Sequence, residues 1–320
     1  MKSQGEILQL YQHLQSVIVG QKRLLDRLLI SVLTGRHLLL ESPPGLAKTT
    51  AVKTLAEGVH ASFQRIQFTP DLLPSDLTGS DVFDPKNGEF HFVNGPLFHE
   101  IILADEINRA PPKVQSALLE AMEEHQITVG GVTRALPELF IVMATQNPLE
   151  QAGTYPLPEA QLDRFMMHVL IDYPSKEEEL EIMRRDRRQS TNAAPVALNT
   201  PLHPDTVIAA RKEVAAIHVE AAVDEFVVSI TDSTRHPGHY VDGWDEMIEV
   251  GASPRATLAM VRAGSAHAYL QGREFLMPED IVEVAPDILR HRIIPSFTAQ
   301  AQGLDAEALV QGLLAAIPRP

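Results

Sequence analysis

Residues 41–50, Glu-Ser-Pro-Pro-Gly-Leu-Ala-Lys-Thr-Thr, restrict this chain more than any other stretch. An apolar run, His37-Leu38-Leu39-Leu40, leads in, and a helix-compatible segment, Ala51 to Gly58, leads out. Pro43, Pro44 and Gly45 require a tight turn between them, so the predicted order is strand, turn, then a helix opening at Lys48-Thr49. That is the architecture of a phosphate-binding loop. Backbone N–H groups line such a turn, and the helix N-terminus adds partial positive charge. Lys48 is then placed to reach β- and γ-phosphates, and the Thr49 hydroxyl to ligate Mg²⁺. The pattern G-x-x-x-x-G-K-[ST] wants glycine at 42 and 47, where this chain has Ser42 and Ala47. The alternative is an ordinary strand–turn–helix corner.

Two further apolar runs end in polar residues. Glu100-Ile101-Ile102-Leu103-Ala104-Asp105-Glu106 has the continuous apolar character of a central parallel strand, closed by adjacent carboxylates. Beside a phosphate loop, Asp105 would support the Mg²⁺ shell and Glu106 would orient or deprotonate the attacking water. Alternatively, the pair simply caps the next segment. Leu139-Phe140-Ile141-Val142-Met143-Ala144 is a second buried strand ending in Thr145-Gln146-Asn147-Pro148. Asn147 there either holds a water or senses a γ-phosphate, or is a turn residue before proline. In a parallel α/β sheet such strand ends meet at one edge, where ligands bind.

The other segments fill out an α/β layer and a helical remainder. Residues 6–33 show helical spacing (Ile7, Leu10, Leu14, then Leu24, Leu25, Leu28, Leu29, Val32) broken at Val17–Gln21. Gly20 marks either a tight turn that a flat ligand approaches or a plain helix–helix turn. His13 reads as a surface or boundary residue. Ser62 to Phe68 is a short strand, and residues 69–98 carry a hairpin insertion around the turn Asp84–Gly88. Val114, Ala117, Leu118, Ala121 and Met122 make an amphipathic helix, and Gly130-Gly131 turns a hairpin within 125–136. Pro156–Phe165 should be a short helix before a fifth strand, Met166 to Ile171. Arg164 there is either an ion-paired surface residue or a charge offered to a neighbouring subunit's γ-phosphate. A charged helix, Lys176–Arg188, precedes a linker-like stretch at 190–203. Helices without a convincing buried strand follow at Pro204–Ile217, Ala222–Arg235, Pro254–Leu270, Pro278–Leu289 and Asp305–Ala315. Ser253-Pro254 sets Arg255 at a helix start, where a cation opposes the dipole and needs an anion partner, carboxylate or phosphate.

The 320 residues are long enough for two domains. Their net charge of −15 argues against broad nucleic-acid binding, which needs a basic surface, while leaving room for a local basic channel. With no cysteine, disulfides and Cys-based metal sites or nucleophiles are excluded. Without an apolar signal core or a membrane-length apolar run, the expectation is a soluble cytoplasmic protein.

Taken together these segments resemble the AAA+ ATPases, and among them the MoxR family. The resemblance rests on Ser-Pro-Pro-Gly-Leu-Ala-Lys-Thr at 42–49, Leu-Ala-Asp-Glu-Ile-Asn-Arg-Ala at 103–110 and Gln-Ser-Ala-Leu-Leu-Glu-Ala-Met at 115–122. It rests also on Ala-Thr-Gln-Asn-Pro at 144–148, Tyr-Pro-Leu-Pro-Glu-Ala-Gln-Leu-Asp-Arg-Phe at 155–165 and Gly-Ala-Ser-Pro-Arg at 251–255. It implies a P-loop AAA+ α/β core over 1–174, with a five-stranded mainly parallel sheet between helices, and a helical linker and lid over 175–320. Residues 69–98 match the helix-2 insert and 125–136 the hairpin before sensor 1. ATP and Mg²⁺ are the implied cofactors. Pro44, Gly45, Leu46, Ala47, Lys48, Thr49 and Thr50 would cradle the phosphates, Val19 and Gly20 the adenine, and Thr49 and Asp105 the metal. Glu106 matches the water-activating acid, Asn147 sensor 1, Arg164 the arginine finger and Arg255 sensor 2. The family implies a hexameric ring that remodels client proteins, often with a von Willebrand factor A domain partner. An ATP-switched partner-binding module with little turnover and a nucleic-acid motor are the alternatives. Ala47 agrees with the MoxR form of the loop. Ser42 departs from it, and would be strained if that position must be left-handed.

Overall fold

The computed structural model describes residues 1–148, 153–189 and 201–320, so most of the linker-like stretch, 190–200, lies outside the described residues. Helices α1 (Gln4–Val17) and α2 (Lys22–Thr34) bury the leucines that set their period, Leu10, Leu14, Leu24, Leu25, Leu28 and Leu29. They part at Gly20, whose φ of +69° is costly for any side-chain-bearing residue. Strand β1 (Leu38–Glu41) runs through the 42–47 turn into α3 (Lys48–Gly58), and β2 (Phe63–Gln67) follows. The insertion holds a short helix, α4 (Pro74–Thr78), which periodicity did not reveal, and the antiparallel hairpin of β3 (Gly79–Asp84) and β4 (Glu89–Asn94). Then come β5 (Ile101–Asp105), α5 (Pro112–Glu124), the hairpin of β6 (Gln126–Val129) and β7 (Val132–Ala135), and β8 (Ile141–Gln146). Helix α6 (Glu159–Leu162), β9 (Met167–Leu170) and α7 (Lys176–Gln189) come next.

Five strands form one sheet in the order β2-β5-β8-β1-β9, and the pairs β2–β5, β5–β8 and β8–β1 are parallel. Leu38–Leu40, Ile101–Ala104 and Ile141–Ala144 are wholly buried, as residues covered on both faces must be. Each large aliphatic side chain so buried contributes about 1.5–3 kcal/mol. His37 enters this core as a neutral ring of defined tautomer. Its Nδ1 accepts from the Val142 N–H at 3.0 Å, so its Nε2–H donates to the Met122 carbonyl at 3.0 Å. Register brings Glu41 opposite Gln146 and Gln67 opposite Asp105, which aligns the carboxyl ends of four strands along one edge.

The later part is helical: α8 (Pro204–Ala215), α9 (Ala221–Arg235), α10 (Pro254–Leu270), α11 (Pro278–Leu289), α12 (Phe297–Ala301) and α13 (Ala306–Ala316). Between them lies a small antiparallel pair, β10 (Ile248–Val250) with β11 (Ile294–Pro295). Neither this pair nor α12 is long enough to leave a periodic signal in sequence. The chain divides into two compact units. One comprises Leu8–Leu157 with Val169–Ile208; the other comprises Met1–Ile7, Pro158–His168 and Ala209–Pro320. Among the described residues no helix is long and apolar enough to cross a membrane.

Candidate functional site

The turn after β1 takes its shape from two left-handed residues, Gly45 (φ +84°) and Ala47 (φ +54°), the latter capping α3. Ser42 does not take a positive φ. Its side chain is buried, its hydroxyl donates to the Pro43 carbonyl at 3.1 Å, and its N–H donates to the Gln146 carbonyl at 3.3 Å. The serine in place of glycine therefore brings no left-handed strain. The strain sits at Ala47, where the left-handed conformation costs an L-residue about 1–2 kcal/mol. Lys48 is the first residue of α3, with Nζ 3.4 Å from the Ser42 carbonyl. Burial lowers its ammonium below the ordinary lysine value, while the Asp105 and Glu106 carboxylates pull the other way.

At the end of β5 the two carboxylates differ in their surroundings. Asp105 accepts from the Thr145 hydroxyl at 2.6 Å through Oδ1, and from Arg65 Nη2 at 2.5 Å and Nε at 3.1 Å through Oδ2. Glu106 lies in the left-handed region (φ +58°), its N–H donating to Thr145 Oγ1 at 2.9 Å. Its Oε2 accepts from Gln67 Nε2 at 2.7 Å and Arg109 Nη1 at 3.1 Å. Thr145, buried at the end of β8, thus joins both acids through one hydroxyl. A non-glycine residue held left-handed beside a cleft is strain of the kind functional sites retain.

These groups face one cavity of about 410 Å³, lined by Pro44, Gly45, Leu46, Ala47, Lys48 and Thr49, by Asp105 and Glu106, and by Asn147 with its neighbours Thr145 and Gln146. Arg65 lines it as well. An ammonium and a helix N-terminus on one wall and two carboxylates on another suit a polyanion carrying a hard cation. Val19, Gly20 and the exposed Thr50 do not line it, and the space a Cβ would need at Gly20 is taken by the Glu178 side chain, 2.8 Å away. Arg164 and Arg255 belong to the other compact unit. Arg164 follows α6, and Arg255 opens α10 with its N–H on the Ser253 hydroxyl (3.3 Å) and Nη1 3.5 Å from Asp163 Oδ2. The anion beside that helix start is therefore a carboxylate of the same unit.

Sequence reading did not single out Arg65, Gln67 or Thr145, nor give Arg109 a role. Arg65 and Gln67 alternate with the buried Ile66 on β2, and only the pairing of β2 with β5 aims them at the acids. Thr145 was legible only as a neighbour of Asn147.

Residues 37–167 match the model of the ATPase family associated with various cellular activities (AAA), and residues 244–313 that of the AAA lid domain. The chain is 42% identical to Chaperone MoxR1 of Mycobacterium tuberculosis over 308 residues, spanning 95% of this chain and 80% of that protein. It is 31% identical to Protein MoxR of Paracoccus denitrificans over 322 residues, or 96% and 94% of the two chains. A crystal structure from Cytophaga hutchinsonii, of a protein described there as a candidate ATPase, superposes with a TM-score of 0.91 at 43% identity, covering 100% of this chain and 96% of the other. With the sheet, the cavity at its carboxyl edge and these relatives in agreement, the chain belongs to the MoxR family of AAA+ ATPases.

Proposed function

We propose that this protein hydrolyses ATP with Mg²⁺ and uses the cycle to remodel, mature or assemble client proteins. One observation carries the reading: the start of α3, with Lys48 and Thr49, and the Asp105-Glu106 pair face the same cavity. Lys48 and the turn N–H groups bind the β- and γ-phosphates. Thr49 and Asp105 are the residues that would hold Mg²⁺, which when bound offsets charge on the phosphate oxygens. Among the described residues there is no cluster of three or more His, Cys, Asp or Glu side chains suited to a metal. That favours a cation completed by nucleotide and water rather than by a protein cage. Glu106 orients the attacking water and accepts its proton, and Asn147 steadies that water from the adjacent strand end. Val19 and Gly20 are the residues we assign to the adenine. Functionally, residues 1–174 act as the nucleotide-binding part and 175–320 as linker and lid.

We assign Arg164 to the nucleotide of the next subunit in a homo-oligomeric ring, taken to be a hexamer, and Arg255 to the sensor-2 role. A von Willebrand factor A domain protein is the proposed partner, and the cytoplasm the proposed compartment. Purified Lys48→Ala protein should release no phosphate, and Glu106→Gln should bind ATP without turnover. Unchanged hydrolysis in both would refute the assignment. The exposed pair Phe83 and Phe90 on the β3–β4 hairpin, ring centroids 5.2 Å apart, favours a second reading. In it, ATP binding switches partner capture and turnover is slight; nucleotide-dependent capture at negligible hydrolysis would distinguish it.

A further inference from the structure

In sequence Arg164 lies between α6 and β9, yet its segment is held by three consecutive side chains about 130 positions later, at the end of α11. Arg292 is only 9% exposed, and its guanidinium is spent largely on this segment. Its Nε donates to Asp163 Oδ1 at 2.7 Å, Nη1 to the Met166 carbonyl at 3.0 Å, and Nη2 to the carbonyls of Phe165 at 2.7 Å and Asp163 at 3.2 Å. A further bond, 2.5 Å from Nη1 to the Ile288 carbonyl, ties it back to α11. His291, held neutral by burial and then by the charge of Arg292, donates from Nε2 to the Phe165 carbonyl at 3.1 Å. Arg290 donates to the His168 carbonyl and is itself held by Asp287 and Glu307. The backbone acceptors of 163, 165, 166 and 168 are thereby all occupied from one short stretch, 290–292.

The second oxygen of Asp163 is shared. Oδ2 lies 3.5 Å from Arg255 Nη1 and 3.4 Å from the Ser253 hydroxyl. Asp163 therefore stands between the buried Arg292 and the half-exposed Arg255, with Arg164 next to it in sequence. A buried ion pair of this kind adds little net stability, because desolvation cancels most of the attraction. What a planar guanidinium with five donors does provide is a fixed geometry for the atoms it bonds.

We propose that Arg292 is a positioning residue for Arg164: through Asp163 and the carbonyls of 163–166 it sets the orientation in which Arg164 is offered to the neighbouring subunit's nucleotide. The inference rests on the trans-acting reading of Arg164, so the test separates the two. Full-length Arg292→Lys keeps the charge but lacks the planar fork. A displacement of about an ångström costs on the order of 10²-fold in rate, so kcat should fall about ten- to a hundredfold with KM for ATP within about twofold. Ring assembly and thermal unfolding are measured alongside. Mixed with Lys48→Ala protein, Arg292→Lys should regain hydrolysis above the sum of the two alone, because the Lys48→Ala subunit supplies a correctly held Arg164 to an intact phosphate loop. Arg164→Ala mixed with Lys48→Ala is the control. If that control shows no recovery, the trans reading fails and this inference with it. If the control recovers but the Arg292→Lys mixture stays at the sum, or Arg292→Lys keeps wild-type kcat, the positioning role alone is overturned. Should Arg292→Lys not assemble, Asp163→Asn, which removes the ion pair and keeps the backbone carbonyls, enters the same mixtures and is judged by the same outcomes.

Discussion

Ala47 and Ser42 exchange significance once backbone angles are known. The loop pattern wants glycine at both, but only Ala47 is left-handed. Ala47→Gly should therefore stabilise the protein by roughly 0.5 kcal/mol, the left-handed penalty less the added chain entropy. Ser42→Gly, which relieves no strain and loses a hydroxyl bond, should destabilise by about 1 kcal/mol. Urea unfolding midpoints for the two variants check both signs. At the same scale, Arg65 pairs with one carboxylate oxygen of Asp105, a residue that would hold the proposed cation, so the two cations would compete for that carboxylate. Because the Arg65 side chain is 49% exposed, the pair is worth about 1 kcal/mol or less, a severalfold effect at most. Arg65→Ala should lower the Mg²⁺ concentration for half-maximal nucleotide binding by about that factor, read by titrating a fluorescent nucleotide. An unchanged midpoint would show that Arg65 does not compete with the metal. Residue types at strand ends were readable from the chain. The partners of those residues were not, because Arg65 meets Asp105 across forty positions through strand pairing alone.

At the scale of elements, the start of α11 is held by a buried carboxylate. Asp280 is buried, caps the helix by accepting from the Met277 N–H at 2.9 Å, and accepts from Arg273 at 2.6 and 2.7 Å and from His267 at 2.6 Å. Burial alone would raise its carboxyl. Arg273, then His267 and the Met277 N–H, outweigh that and hold it below the ordinary aspartate value. A depressed folded-state value means stabilisation that is present above about pH 4 and lost as pH falls through the lowered value. Asp280→Asn should cost about 2–3 kcal/mol at neutral pH, less than a fully enclosed pair because Arg273 is a quarter exposed. Chemical denaturation of both proteins across pH 3–7 should show the gap closing toward the acid end. The long helices were legible because an apolar stripe is a local property. Helices α4 and α12 and the β10–β11 pair were not, since a few residues carry too little periodicity. The two hairpins were legible from their turns, but not their contact: Arg134 of β7 lies 3.7 Å from the Phe92 ring centre on β4. Gly-rich turns announce where strands reverse and say nothing about what the hairpin then meets.

For the molecule as a whole, the net charge of −15 makes its main prediction one of partner class. Non-specific binding to single-stranded DNA should be weak and show almost no dependence on salt, because few counterions would be released. A fluorescence anisotropy titration at low and moderate salt checks this; a steep slope would point to a basic channel and revive the nucleic-acid motor. The apolar runs, their polar closures and the turn between β1 and α3 were determined by the sequence itself, because each depends on residues adjacent in the chain. So did the order of segments that marks the family. The tertiary structure alone decided the strand order β2-β5-β8-β1-β9, which gathers the loop, the acid pair and Asn147 on one cavity. It alone decided that left-handed strain falls on Ala47 and Glu106, and that Arg292 holds the segment carrying Arg164. Those outcomes depend on pairing and burial between distant residues, which local spacing does not encode.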